Sequence, residues 1–362
     1  RWTIRSRLTV RGFKDNQKGE IARYAGTSTR GGQKTLVSEA VRNRWPICTL
    51  DISVAFLKGV TYEELAALTG EPMREVNFYL PAACIPLLRQ VPGFEDFDPR
   101  TEVLHCDKPG TGLTDAPRAF SLKLKTVTEQ KCHMKSSLID AELCIKHRRP
   151  NELVALIAKH VDDLKMTGTS EETKTIIRHL HDAFGELKIE WYQFTNCGVR
   201  HYQDQVSKEI TLDQADYVAR LRPMVHSQLR SGQPEDLCCP ELHALYMSLL
   251  GAIAYLSHTR IDIVVFICAF QRHTHKPQVQ HARKLNRLLN WIRKNPRKLV
   301  YKCFKGNQAP ATHLRVISDA AYKKETEDGY SLRGAIFLRA AGTGSELLSN
   351  CLLYTSDAAD DW

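Results

Sequence analysis

Leu153-Val154-Ala155-Leu156-Ile157-Ala158-Lys159-His160-Val161-Asp162-Asp163-Leu164-Lys165-Met166 is the stretch on which the reading of this chain turns. An apolar run of this length reads as a buried strand. Two adjacent carboxylates at its exit, followed at once by Leu164 and Met166, read as a metal-holding hairpin turn. A plainer alternative stands beside that reading, because Asp is common in solvated turns whose backbone geometry it tolerates. The chain has 41 acidic residues and a second Asp-Asp at Asp360-Asp361, so the dipeptide alone decides nothing.

Working outward, Ile47-Cys48-Thr49-Leu50-Asp51-Ile52 is a second short apolar strand that carries one carboxylate near its end. If the two strands lie side by side in one sheet, Asp51 and Asp162 converge and can bridge two Mg2+ ions, which stand about 3.5–4 Å apart in two-metal sites. Mg2+ takes carboxylate oxygens and leaves positions for substrate phosphates. Successive strand residues point to opposite faces, so Asp162 and Asp163 cannot both aim at one metal unless the turn redirects one of them.

Six blocks, in order, then resemble the reverse transcriptase region of copia-type retrotransposon polyproteins. Ser6-Arg7-Leu8-Thr9-Val10-Arg11-Gly12-Phe13 is similar to the family's KARLVARGF segment, and Leu50 to Gly59 (LDISVAFLKG) to its LDVKTAFLNG block. Gly112 to Phe120 (GLTDAPRAF) resembles GLKQAPRAW, and His160-Val161-Asp162-Asp163 resembles the YVDD box. Phe184 to Lys188 is similar to the segment that follows that box, and Ile317 to Tyr322 (ISDAAY) to the SDADW that opens a ribonuclease H module.

The resemblance implies an α+β right-hand polymerase. Residues 1–200 would be fingers and palm, with an antiparallel sheet carrying an aspartate triad, 201–300 a mostly helical thumb or connection, and 312–350 a truncated ribonuclease H-like start. Asp51 and Asp162 would be the principal catalytic and metal-binding residues with Asp163 as the third, holding two Mg2+ ions, with Mn2+ as a substitute. Phe56 would lie under the nucleotide sugar; without the resemblance it reads as a core aromatic. Arg7 and Arg11, on one side of an alternating strand, suit triphosphate oxygens, and equally a solvated basic edge. Asp115 stands among the nucleotide-binding positions where the family has Gln, and it brings negative charge toward the phosphates. His160 replaces a Tyr and Phe120 a Trp, each keeping a ring. The implied partners are an RNA template, a DNA primer, dNTPs and other Pol and Gag products. The implied setting is intracellular, in a cytoplasmic virus-like particle, the nucleus or both.

Composition agrees with a nucleic-acid partner. Lys plus Arg is 51 against 41 acids, giving +10 and a pI near 9.0, which attracts phosphate backbones in a salt-dependent way. The 11 cysteines are scattered and lack a C-x-x-C pair, and only Cys238-Cys239 are adjacent. That pattern favours reduced thiols and argues against a zinc site or disulfide frame. No stretch has the length of a membrane span and no secretory signal opens the chain.

With 362 residues and 43% hydrophobic content the chain can fill more than one domain. The Pro-rich stretch from Tyr62 to Phe97 has no assignable role. Thr169 to Glu172 forms a capping-box pattern for a helix whose apolar face is Ile176, Ile177, Leu180 and Phe184, ended by Gly185. Gly198 to Pro223 predicts a strand pair and a helix, and Arg230 to Pro240 a linker. Three helical patterns follow, the last between Pro277 and Pro296 with Val279, Ala282, Leu285, Leu289 and Ile292 on one side. Its other face carries His281, Arg283, Lys284, Arg287 and Arg293, a track for a template–primer duplex or simply a solvated face.

Leu314 to Asp319 predicts a strand ending in the ribonuclease H remnant Asp319, with Leu332 to Leu338 as partner. The further acids of such a module are not found, Glu346 being in the wrong context, so RNA cleavage is not expected. Cys351 to Asp361 matches a translated sequencing adapter, which makes 351–362 an adapter-derived tail, with native sequence ending near Asn350. Arg1 likewise suggests a start inside a longer chain. Two functions follow: an RNA-directed DNA polymerase, or a catalytically inactive fragment that only binds nucleic acid.

Overall fold

Six antiparallel strands build the central sheet of the computed structural model, which describes residues 9–17, 19, 21–304, 311–320, 332–342 and 348–358. In spatial order they are Lys135–Ser136 (β4), Leu143–Arg149 (β5), Glu152–His160 (β6), Asp163–Gly168 (β7), Ile47–Ile52 (β1) and Leu187–Trp191 (β8). A separate short pair joins Asn77–Phe78 (β2) to Leu104–His105 (β3). Arg7 and Glu346 lie outside the described residues.

The apolar run of the sequence is β6, and it is continuous rather than alternating because both faces of the strand are covered. Ala155 and Ile157 enter one core, Leu156 and Ala158 another. The first core joins Cys48, Leu50, Ile52, Leu164 and Met166 to Phe120 and Leu124 of Ala116–Thr126 (α4) and to Ile176, Leu180 and Phe184 of Ser170–Phe184 (α5). Each such side chain contributes roughly 1.5–3 kcal/mol when fully buried. Phe120 is among them, its ring tilted against Phe184 at 5.7 Å. The second core sets Leu36, Val37, Ala40 and Val41 of Arg30–Arg42 (α1) against β6 and a second sheet.

That second sheet has the order Leu299–Tyr301 (β12), Ile210–Asp213 (β11), Val199–Gln203 (β10), Gln193–Asn196 (β9). The boundary expected at residue 200 therefore runs through a hairpin, and Phe194, Val199, Ile210 and Leu212 share the core under β6. The unit that begins as helical only starts at Ala215–Arg220 (α6) and Gln228–Ser231 (α7). It continues through Pro240–Tyr255 (α8), Val264–Gln271 (α9) and Val279–Lys294 (α10), around a core of its own. On the basic face of α10, Arg283 donates to the Leu229 and Gly232 carbonyls at 2.9 and 2.8 Å, and Arg293 donates to the Leu221 carbonyl. These two arginines fasten the helix, and Lys284 and Arg287 remain exposed.

Two local readings sharpen. Thr169 Oγ1 accepts from the Glu172 N–H at 3.4 Å, but the Glu172 carboxylate meets Lys146 Nζ at 2.8 Å, so only half of the capping box forms. A complete one opens Tyr62–Thr69 (α2), between Thr61 and Glu64, inside the Pro-rich stretch that also holds Ile85–Leu88 (α3). A third sheet, His313–Ala320 (β13), Leu332–Ala341 (β14) and Leu348–Ala358 (β15), docks on α1 through Arg339 and Glu39 at 2.6 Å. Strand β15 runs through the expected junction at Asn350: the Asn350 side chain bonds the Lys302 backbone on both sides, and Tyr301 Oη donates to the Cys351 carbonyl at 2.6 Å. The 11 cysteines are free thiols, and no described helix is long and apolar enough to cross a membrane.

One backbone crossing positions the Arg11 segment. The Val10 N–H donates to the Thr111 carbonyl at 3.0 Å, and a Cβ on Gly112 would stand 2.1 Å from the Val10 oxygen, at φ +99°. Gly112→Ala is expected to destabilise the fold by about 1–3 kcal/mol through clash and strained backbone, read as a lower urea midpoint.

Candidate metal and nucleotide site

Strand register builds the site. Asp51 is paired with Asp163 on one side and Lys188 on the other, and Asp163 in turn with His160. Directly opposed residues point to the same face, with Cα atoms about 4.5–5.5 Å apart. His160, Asp163, Asp51 and Lys188 thus make one row across four strands. Asp162 sits in the two-residue turn that joins β6 to β7, so the direct neighbour of Asp51 is Asp163, and Asp162 approaches from the turn. Both carboxylate-bearing strands exit through valines in the left-handed region, Val161 at φ 57° and Val54 at φ 51°. A β-branched residue is strained there, and such strain gathers at functional sites.

Charge crowding follows from this placement. Burial first, then the charges of Asp162 and Asp51, hold the Asp163 carboxyl above the ordinary Asp range, with His160 opposing. Lys188 is held above its usual value by its bond to Glu190 at 2.7 Å and by the charge of Asp51. A half-buried carboxyl crowded by two neighbouring carboxylates is a donor set a hard divalent cation satisfies, so the chemistry of the three aspartates fits Mg2+. Their oxygens do not gather into a cluster with every ligand atom within 4.8 Å of the others; among the described residues only His226, Cys239 and Glu241 do. There the Gln228 N–H donates to His226 Nδ1 at 3.1 Å, which leaves the ring hydrogen on Nε2, facing Cys239 Sγ at 3.6 Å. That trio is hydrogen-bonded rather than arranged for coordination.

Phe56 follows Val54 in a single 3-10 turn (Ala55–Lys58) and is half-buried against the first core. Arg11 is exposed and lines a groove of ≈ 880 Å³ with Lys14, Asp15 and Arg74. Asp115, by contrast, is buried at 1% exposure and does not face solvent. It is ion-paired with Arg74 Nη1 and accepts from Tyr62 Oη at 3.3 Å, while Arg74 Nη2 reaches Asp15 at 2.7 Å. The negative charge of Asp115 is thereby paired, by a guanidinium that it shares with Asp15. Its partner comes from the Pro-rich stretch, which Arg118 and Glu71 also strap to α4 at 2.7 Å. No local signal in the sequence announces pairs so distant along the chain. Asp319 stands on the third sheet, opposite Gly334.

No family model matches the chain. It is similar to the retrovirus-related Pol polyprotein from transposon RE2 of Arabidopsis thaliana, 24% identical over 357 residues, covering 92% of this chain and 22% of that protein. The corresponding polyprotein from transposon RE1 is 23% identical over 350 residues, covering 92% and 21%. The homologues of the chain are thus retrovirus-related transposon Pol polyproteins, and the chain spans about a fifth of their length. Among solved structures, a foamy viral protease-reverse transcriptase in complex with double-stranded DNA has a TM-score of 0.43 and 10% identity, over 90% of this chain and 45% of that one.

Two outcomes are expected. Arg74→Met strands two carboxylates, one fully buried, and should cost about 3–5 kcal/mol; adding Asp115→Asn should recover part of the loss, measured by chemical denaturation. Val161→Asn replaces a strained β-branched residue by one that accepts the left-handed region and should stabilise by about 1 kcal/mol, read as a rise in Tm.

Proposed function

From homology to transposon Pol polyproteins and from the carboxylate row, we propose that this chain is an RNA-directed DNA polymerase of a copia-like element, adding dNTPs to a primer 3′-hydroxyl. The observation that carries the reading is the register that sets Asp163 opposite Asp51 with Asp162 in the adjoining turn. In this reading the central sheet is the palm, the segment around Arg11 belongs to the fingers, and the helices from α6 to α10 form the thumb.

Asp51, Asp162 and Asp163 would hold two Mg2+ ions, which supply charge stabilisation to the attacking and leaving oxygens of an in-line displacement. Lys188, in the same row, offsets part of the negative charge of Asp51 and limits repulsion within the group. Phe56 is packed against the core and only partly buried, and a sugar would sit on its exposed part. Arg11, with Arg7 four positions earlier in the sequence, would take triphosphate oxygens, since guanidinium groups bind such oxygens in pairs. Lys284 and Arg287, exposed on α10 as Lys294 at its end is, would meet a duplex backbone, where each phosphate contact contributes affinity that falls with salt.

A second reading, a catalytically inactive fragment that only binds nucleic acid, draws on Asp115. Where the resemblance places a Gln there is a buried ion pair with Arg74, so no amide is offered to template or nucleotide. RNA cleavage is not part of either reading; the other acidic residue on the sheet of Asp319 is Asp357, on the far strand of the three and opposite Arg333 rather than in register with Asp319.

Primer extension on an RNA template with Mg2+ separates the two. The polymerase reading expects extension that Asp162→Asn lowers by roughly 10²–10³-fold, the scale of losing a preorganised charge-stabilising group. Extension no greater than that of Asp162→Asn sinks it, and template–primer binding without extension supports the inactive fragment.

A further inference from the structure

Strand β13 is an edge of the third sheet, paired with β14 on one side from His313 opposite Ala340 to Ala320 opposite Arg333. Among the described residues no strand covers its other side. In an antiparallel ladder every second residue turns its N–H and C=O away from the neighbouring strand, so this eight-residue strand presents a row of such groups outward. Its apolar side chains are exposed too, Leu314 at 63% and Val316 and Ile317 at 48% each.

Edge strands are ordinarily guarded by Pro, by Lys, by a bulge or by being very short. The sequence His313-Leu314-Arg315-Val316-Ile317-Ser318-Asp319-Ala320 contains neither Pro nor Lys, and its pairing with β14 runs without a register shift. An edge of this kind is a template for another strand.

Its charges select the strand that fits. Alternation sets Arg315, Ile317 and Asp319 on one face of the sheet and Leu314, Val316 and Ser318 on the other. The two charges are opposite in sign and equally far from Ile317, so the strand is complementary to itself run antiparallel. When two copies pair about a two-fold axis normal to the sheet, opposed residues share a face and each opposes its counterpart in return, which allows only registers centred on a residue. Centred on Arg315, two guanidiniums oppose each other. Centred on Val316, Arg315 opposes Ile317, and centred on Ser318, Asp319 opposes Ile317. Centred on Ile317, Arg315 opposes Asp319 at both ends, Ile317 meets its own copy, and Val316 meets Ser318. Arg315 is exposed and makes no ion pair among the described residues. Asp319 is exposed as well, and a carboxylate accepts from several donors, so it can take a guanidinium in addition to the interaction it has within its own chain.

We propose that the β13 edge is a docking surface for a second copy of this chain, the two strands pairing antiparallel about Ile317 so that two three-stranded sheets become one continuous sheet. Pairing occupies the β13 edge of both copies, and the assembly closes at the dimer. It uses none of the aspartates of the central sheet and stands apart from the polymerase reading. Stable complexes bury about 1,200 Å² or more, and one strand pair offers less, so association at micromolar rather than nanomolar concentration is expected.

Sedimentation velocity of the full chain over a concentration series tests this. A reversible monomer–dimer equilibrium is expected, loosened by added salt because exposed charge pairs are screened. Arg315→Asp sets like charges opposite each other at both ends of the strand pair and should weaken dimerisation roughly ten- to a hundredfold. Adding Asp319→Arg exchanges the two charges and should restore most of the affinity, a recovery that a partner strand of different sequence would not give. Amide hydrogen exchange of the unmutated chain is the second readout, with protection along residues 313–320 rising with protein concentration; it decides the matter if the double variant does not fold. A chain that stays monomeric throughout, a dimer indifferent to Arg315→Asp, a folded double variant that associates no better than Arg315→Asp alone, or growth beyond the dimer would each overturn the proposal.

Discussion

The antiparallel pairing of β1 with β7, from Ile47 opposite Thr167 to Asp51 opposite Asp163, is the constraint on which the rest depends. A slip of one residue would turn Leu50 and Ile52 outward and drive Asp51 into the core made with α4 and α5. That core contains Phe120, Leu124, Leu180 and Phe184, so a slipped register would bury a carboxylate among aromatic and aliphatic side chains while exposing their partners. Packing on one face of the sheet therefore fixes the polar row on the other. The candidate site is a consequence of hydrophobic burial on the far side of the same two strands.

Such a row is destabilising in itself. Asp163 is pushed toward protonation by burial and by Asp162 and Asp51, and the two valines at the strand exits hold unfavourable backbone. The fold tolerates these terms because β6 and β7 are covered on both faces and anchored through α1, α4 and α5. Local cost over-determined by its surroundings is the pattern expected where chemistry, rather than stability, sets the residues.

How much was legible in the sequence follows from the range of each interaction. Strand β6, helix α5 and helices α8 to α10 were readable because their signals are local: an unbroken apolar run, a 3.6-residue period, Pro at the boundaries. The antiparallel pairing of β13 with β14 likewise joins the two strands read from residues 314–319 and 332–338. What depends on distant pairing was not readable. Residue 200 looked like a boundary because helical patterns dominate beyond it, yet β9, β10 and β11 form one sheet whose side chains complete the core under β6. The α10 arginines looked like a solvated stripe, but Arg283 and Arg293 bind carbonyls of a segment more than fifty residues earlier. The partner of Asp51 across the sheet is Asp163, a register no single strand reveals.

The Arg74 bridge shows how a departure from a familiar pattern can be repaired at long range. Asp115 taken alone places a buried negative charge next to the groove that Arg11, Lys14 and Arg74 line. With Arg74 between Asp115 and Asp15, one guanidinium neutralises half of two carboxylates and removes the buried one from contact with solvent. Among the described residues Arg11 and Lys14, on the same groove, make no ion pair, and they share its lining with the exposed carboxylate of Glu75. The Pro-rich stretch that supplies Arg74 is thus part of the electrostatics of the groove, and a substitution at residue 74 would change the charge there without touching any block by which the chain was first read.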